Sequence, residues 1–328
     1  MVTRRQILGT SAALGSSILF GAVRTLRAQT VQKVTRIVVG LPPGSFVDTV
    51  LRLLINQMRG YAPTIILENR PGAGFRIAIE AVKNSAPDGS TILLSPSGPL
   101  VLYPHIFKAL SYKPLDDFVP VTTVYSTPSA LAVGPMVGGQ VKTVADFVAW
   151  CRANPKQSSY GSPGAGSPMH FLGTMLARAA GFEFLHVPYQ GSGPATQDVV
   201  GGQIASAIGP VPNMVQLMQP GRLRVLATTG AARSAALPDV PTMKEAGFPT
   251  LEFAEWFGLL LPAKTPMPIA TALNIAVHHV LNTDDFKSSL AKLSLEPSGM
   301  SISEFAQRMK DDTQRWQPIV QASGFVAE

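Results

Sequence analysis

Apolar residues after Ser45 fall at Val47, Val50, Leu51, Leu54, Ile55 and Met58, the i, i+3, i+4, i+7 spacing of one buried helix face. The preceding segment, Arg36 to Leu41, is β-branched and aliphatic and reads as a strand. The alternation recurs with strands at Thr64 to Leu67 and Thr91 to Ser95, then a helix from Val144, a strand at Ser158 to Gly161 and a helix over Pro168 to Ala180. A strand at Phe184 to Pro188, a helix over Pro194 to Val200 and strands at Ile204 to Ile208 and Arg224 to Thr228 follow. Helices at Ile269 to Leu281 and Ser303 to Val320, the second opened by the box Ser301-x-x-Glu304, finish the chain. The pattern predicts an α/β protein. Val119 to Val133, rich in Val and Thr around Pro128, and Glu252 to Leu261 read as extended crossings out of one lobe and back into it. Two lobes joined in this way leave a cleft between them, and ligands in such folds sit at the carboxyl ends of strands.

Two loops occupy that position. Val38 to Asp48, through Pro42-Pro43-Gly44, and Glu68 to Arg76, through Pro71-Gly72-Ala73-Gly74, each run from strand to helix and should present unpaired backbone N–H groups to an anion. Ser45 is the expected N-cap, and Asp48 three residues on completes a capping box; direct ligand contact by the same two side chains is the alternative. In the second lobe Gly161-Ser162-Pro163-Gly164-Ala165-Gly166-Ser167 precedes Pro168, which favours the first helical position and makes Ser167 the cap. Loop amides around Gly164 and Gly166 with the Ser162 and Ser167 hydroxyls would hold the far end of a ligand.

Charge and composition narrow the chemistry. Thr3-Arg4-Arg5 followed by a weakly hydrophobic Gly/Ala/Ser-rich run reads as a twin-arginine signal peptide over residues 1–28, too short and small-residued for a membrane anchor. Its four arginines removed, the formal charge of +7 falls to +3, with no basic stripe for nucleic acid. Cys151 is the only cysteine, so no internal disulfide can form, and the five histidines offer no metal constellation. Gly164-x-Gly166 lacks the third glycine of a dinucleotide loop, and neither a P-loop nor a Gly-x-Ser-x-Gly elbow occurs. No cofactor, metal or catalytic residue is expected.

Pro42-Pro43-Gly44 with Asp48, Glu68-Asn69-Arg70-Pro71-Gly72-Ala73-Gly74, Pro87-Asp88-Gly89, Tyr112-Lys113-Pro114-Leu115-Asp116-Asp117-Phe118, the 160–167 loop, His186-Val187-Pro188-Tyr189 and Leu237-Pro238-Asp239-Val240-Pro241-Thr242 occur in order over residues 33–326. Together they resemble the periplasmic substrate-binding proteins of tripartite tricarboxylate transporters, the Bug family. The resemblance implies a two-lobe, type II-like periplasmic-binding-protein fold, with lobe 1 over residues 29–128 and 253–328 and lobe 2 over 129–252. It also implies a monomer that captures a small organic acid and delivers it to membrane transport subunits, without catalysis. A ligand-presenting sensor and a cofactor-dependent periplasmic enzyme are the other readings. Expected ligand contacts are Gly44, Ser45, Phe46, Asp48, Arg70, Gly72, Ala73, Gly74, Phe75, Arg76, Ser162, Gly164, Gly166 and Ser167, with Arg70 alternatively bracing its loop through Glu68 or Asp88.

The chain departs from the family pattern at Ser45, where the family carries a second glycine, at Phe46, where it carries a small residue, and at Phe75-Arg76, where it carries Gly-Asn. It also lacks the acid expected near Ala205 or Gly209. Phe46 and Phe75 thus suggest π-surface for an aromatic or apolar-bodied acid, with buried anchors as the alternative. Arg76 would meet a second carboxylate.

Overall fold

The computed structural model describes residues 31, 33–218 and 222–327. The signal-peptide reading lies outside them. Strands β1 (Thr35–Val39), β2 (Ile65–Asn69) and β3 (Thr91–Pro96) run parallel and feed helices α1 (Phe46–Gln57), α2 (Arg76–Lys83) and α3 (Ser97–Val101). Short helices α4 (Tyr103–Ile106) and α5 (Pro114–Asp117) lead into β4 (Phe118–Val133), the first expected crossing. Beyond it come α6 (Val144–Ala153), β5 (Ser159–Ser162), α7 (Pro168–Ala180), β6 (Leu185–Pro188), α8 (Ser192–Val200), β7 (Ser206–Pro210), α9 (Val211–Leu217) and β8 (Arg224–Thr228). The chain returns through β9 (Ala254–Pro262) and ends with α10 (Met267–Leu281), α11 (Asp284–Lys292), β10 (Glu296–Pro297) and α12 (Ile302–Ser323).

The strands form one continuous order, β2-β1-β3-β9-β4-β7-β5-β6. β4 joins its halves. From Phe118 to Pro128 it pairs with β9, and from Ser129 to Val133 with β7, while β8 also pairs with it from Ala130. The change falls where Pro128 offers no N–H to a ladder. Thr229 binds both crossings there: its Oγ1 accepts the Ser129 N–H at 2.8 Å and donates to the Phe253 carbonyl at 2.5 Å. Its backbone adds Thr229 N–H to Ser129 O and Phe253 N–H to Thr229 O.

Helix caps follow the sequence at Ser45, Ser167 and Ser301, Thr143 caps α6, and reciprocal boxes form at Thr143/Asp146 and Ser301/Glu304. Ser45 and Asp48 form half a box. The Ser45 hydroxyl accepts the Asp48 N–H, but the Asp48 carboxylate takes the Gly44 N–H instead of the cap's own. α12 lies against both halves of the sheet. Trp256 of β9 meets Phe305 edge-on and donates from Nε1 to Asp312 at 2.7 Å, and Trp316 packs against Phe171 of α7 and Phe253.

Candidate functional site

The Phe46 ring at the start of α1 meets Tyr125 of β4, Phe75 of the second loop lies over Gly40 after β1, and the turn after β3 approaches Pro168 at the start of α7. In the first loop, Asp48 is buried and fully engaged, accepting from Arg52 Nε at 2.8 Å, Asn69 Nδ2 at 3.0 Å and Gly44 N–H at 3.2 Å. Burial works against its charge, yet these donors together hold its pKa below the ordinary carboxylate range. Asp48 therefore pins the loop to β2 and α1. The Ser45 N–H goes to Pro42 O, which leaves the first-turn amides of Phe46 and Val47 as the donors of this 12-residue helix without an intrahelical acceptor.

The second loop is backbone-driven to an unusual degree. Gly72, Ala73, Gly74 and Phe75 all have positive φ, +132°, +46°, +59° and +74°. For Ala73 and Phe75 this region is strained. The Phe75 ring shows what holds it: it is 9% exposed and lies over Gly40, where any Cβ would come within 2.5 Å of the ring. Phe75 is thus a buried anchor, the alternative offered beside ligand-facing π-surface. Arg76 is engaged within the protein, donating from Nε to Ala73 O at 3.0 Å with its guanidinium 4.4 Å over the Phe107 ring. Arg70 is paired with Glu68, as its loop-bracing alternative anticipates.

The 162–167 loop closes on itself. Ser162 Oγ is 2.7 Å from His186 Nε2 and 3.1 Å from Gly164 O, and it receives the Gly164 N–H. Ser167 Oγ donates to Gly164 O and caps His170, while the Gly166 N–H goes to His170 Nδ1 at 3.1 Å. These hydroxyls and amides, read from sequence as ligand donors, are engaged in building the loop. His170 and His186 stack at 4.0 Å, and burial pushes both down to about 4, so they stay neutral at neutral pH.

Sequence reasoning missed the wall between the loops. Tyr125 of β4 stacks on Phe257 of β9 at 4.5 Å and meets Phe46 edge-on at 6.2 Å; its hydroxyl is buried without a protein partner among the described residues. Ser97, at the β3–α3 turn, and Ser129 carry buried unpaired hydroxyls as well. Glu255 of β9 joins them: it is buried, opposite Thr127, and burial raises its pKa to about 7 against the opposing pull of the Gly98 backbone N–H. A Cβ on Gly98 would stand 3.2 Å from Pro168 Cδ of α7 and 3.8 Å from Glu255 Oε1, so the two halves of the molecule meet over this carboxyl. The signal for Glu255 was present as an acid inside an apolar crossing, Phe253-Ala254-Glu255-Trp256-Phe257.

Paired α/β lobes joined by crossing strands, with strand-end loops facing each other, define a periplasmic binding protein, a receptor that holds a solute between its lobes. Residues 50–325 match the tripartite tricarboxylate transporter family receptor, and the chain belongs to that family. It is 31% identical over 291 residues to protein BugT of Bordetella pertussis, spanning 88% of this chain and 89% of that one. Among solved structures, Rpa4515 of R. palustris with adipate matches with a TM-score of 0.80 and 29% identity over 89% of this chain and 97% of its own. MatC from Rhodopseudomonas palustris with bound malate matches with a TM-score of 0.75 and 28% identity over 88% and 98%.

Proposed function

We propose that this receptor captures a small organic acid, with an apolar body and two carboxylates, between lobe 1 (residues 29–128 and 253–328) and lobe 2 (residues 129–252), and delivers it to the membrane subunits of a tripartite tricarboxylate-type transporter. The observation that carries the reading is that the free first-turn amides of Phe46 and Val47 open a helix whose Phe46 ring meets Tyr125, where the Tyr125 hydroxyl is buried without a partner among the described residues. Oriented neutral donors bind an anion with little reorganisation. The rings of Phe46, Tyr125 and Phe257 supply the apolar wall. Relatives solved with adipate and malate support two carboxylates on the ligand.

A thermal-shift screen of C4 to C8 dicarboxylates, aromatic acids and amino acids tests it. A ligand at a hundredfold excess over its Kd should stabilise the fold by about 2.7 kcal/mol. If no acid moves the melting temperature, the reading fails. Export by the twin-arginine route belongs to the same proposal: changing Arg4 and Arg5 together to lysine should strand precursor in the cytoplasm, and unchanged periplasmic yield would overturn that part.

A further inference from the structure

Glu255 lies where β9 has run past its neighbour. β3 pairs with β9 only as far as Pro96 opposite Phe257, so the next residue on the same face of β9, Glu255, borders the turn at Ser97 and Gly98. The side chain is 8% exposed and forms no ion pair among the described residues. The Gly98 backbone N–H lies beside its carboxyl, and the hydroxyls of Tyr125 and of Ser97, the residue before Gly98, have no partner among the described residues. An ionised carboxylate in this position is largely withdrawn from water and has no counter-charge among the described residues. A protonated one needs an acceptor for its O–H.

The geometry points to Glu255 as a specificity-determining residue of the acid site, donating its carboxyl proton to the second carboxylate of a dicarboxylate whose first carboxylate rests on the loop amides. The inference rests on the acid-receptor reading above and deepens it. No covalent bond forms; where Glu255 is ionised in the free protein, ligand binding draws one proton from solvent. A monocarboxylate would leave the O–H unpaired, and that loss is what discriminates against it. An amino acid would require the ionised form, with the ammonium as counter-charge.

The groups facing Glu255 from the surrounding elements keep their charge between pH 6 and 8. Burial raises the pKa of Tyr125 on β4 and of Tyr103 on α4, the Arg76 guanidinium lies beyond Tyr103, and His170 on α7 is neutral. Glu255 itself, at about 7, passes from mostly protonated to mostly ionised across that range.

Isothermal titration of adipate, malate, phthalate, benzoate and glutamate at pH 6 and pH 8, in two buffers of different ionisation enthalpy, tests the assignment. The tightest binder should be a dicarboxylate, about tenfold weaker at pH 8, with uptake of close to one proton at that pH. Glu255→Gln keeps a donor for the ligand and an acceptor for Gly98, so it should bind with little pH dependence and no proton uptake. Flat wild-type binding of any acid, without proton uptake, overturns the inference alone. Glutamate binding tightest and strengthening toward pH 8 would make Glu255 an ammonium partner and overturn it too. Absence of binding by every acid would overturn the receptor reading and this inference together.

Discussion

Phe75 sets two terms against each other. Its φ of +74° carries strain of about 1–2 kcal/mol, while its ring fills the space over Gly40. Phe75→Gly relieves the first and removes the second; since loss of a buried Phe side chain costs about 3–5 kcal/mol, a net destabilisation of roughly 1–4 kcal/mol should appear in urea unfolding. Adipate and benzoate should weaken together in the variant, because the 72–75 amides lose their anchor; selective loss of the aromatic acid would return the ring to the ligand site. Glu255 gives a pH signature of opposite origin. Its folded pKa, about 7, lies above the ordinary 4.5, so the folded state holds an extra proton between those values. Stability is therefore unaffected below about pH 4.5 and declines by up to about 1.4 kcal/mol per pH unit until pH 7. Relative to wild type, Glu255→Gln should gain stability from pH 5 to pH 8 in chemical denaturation, and parallel curves would show that the carboxyl is not held neutral. The loops were readable at this scale because proline, glycine and N-cap chemistry is local. The destinations of side chains were not: Ser162 finds His186 across a strand pair, and Glu255 is buried by β4 and α3, distant in sequence.

The elements were the more legible level. β1, β3, β4, α7 and β8 lie within two residues of their periodic segments, and α7 and β8 match them at both ends. α9 escaped because seven residues with Pro212 at their start are too short to show a helical period, and the nine residues of α11 are likewise short. What no pattern in one segment could reveal is how the crossings are held together. Thr229 provides that: one hydroxyl serves a donor in β4 and an acceptor at Phe253 before β9. Thr229→Val keeps the shape but leaves a buried N–H and a buried C=O without that partner. A loss of about 1–3 kcal/mol in unfolding free energy should follow. Native-state hydrogen exchange should show faster exchange at Ser129 than in β1. Equal protection at both would mean that the crossings are held by the sheet alone.

At the scale of the molecule, the two lobes touch in two different ways. One contact is an extensive aromatic seam: Phe171 of α7 against Trp316 and Phe325, with Phe253 beside Trp316. The other is a close approach of small residues across the site, Gly98 toward Pro168, with Gly166 against Ile106 and Phe325. Buried aromatic packing of the first kind costs several kcal/mol to undo, whereas the second separates little apolar surface. Opening should therefore pivot on α12 and the Thr229 junction and part the lobes at Gly98. This gives closure a steric handle. A Cβ at Gly98 would stand 3.2 Å from Pro168 Cδ, and a branched side chain there would prop the cleft while leaving the backbone, whose φ is not positive, unstrained. In small-angle scattering, wild-type protein saturated with its tightest acid should be more compact than the ligand-free form. Gly98→Val should remain expanded at the same ligand concentration and bind more weakly, with unchanged secondary structure by circular dichroism. Superimposable bound profiles for the two proteins would show that the lobes do not close on this contact, and that the pivot lies elsewhere.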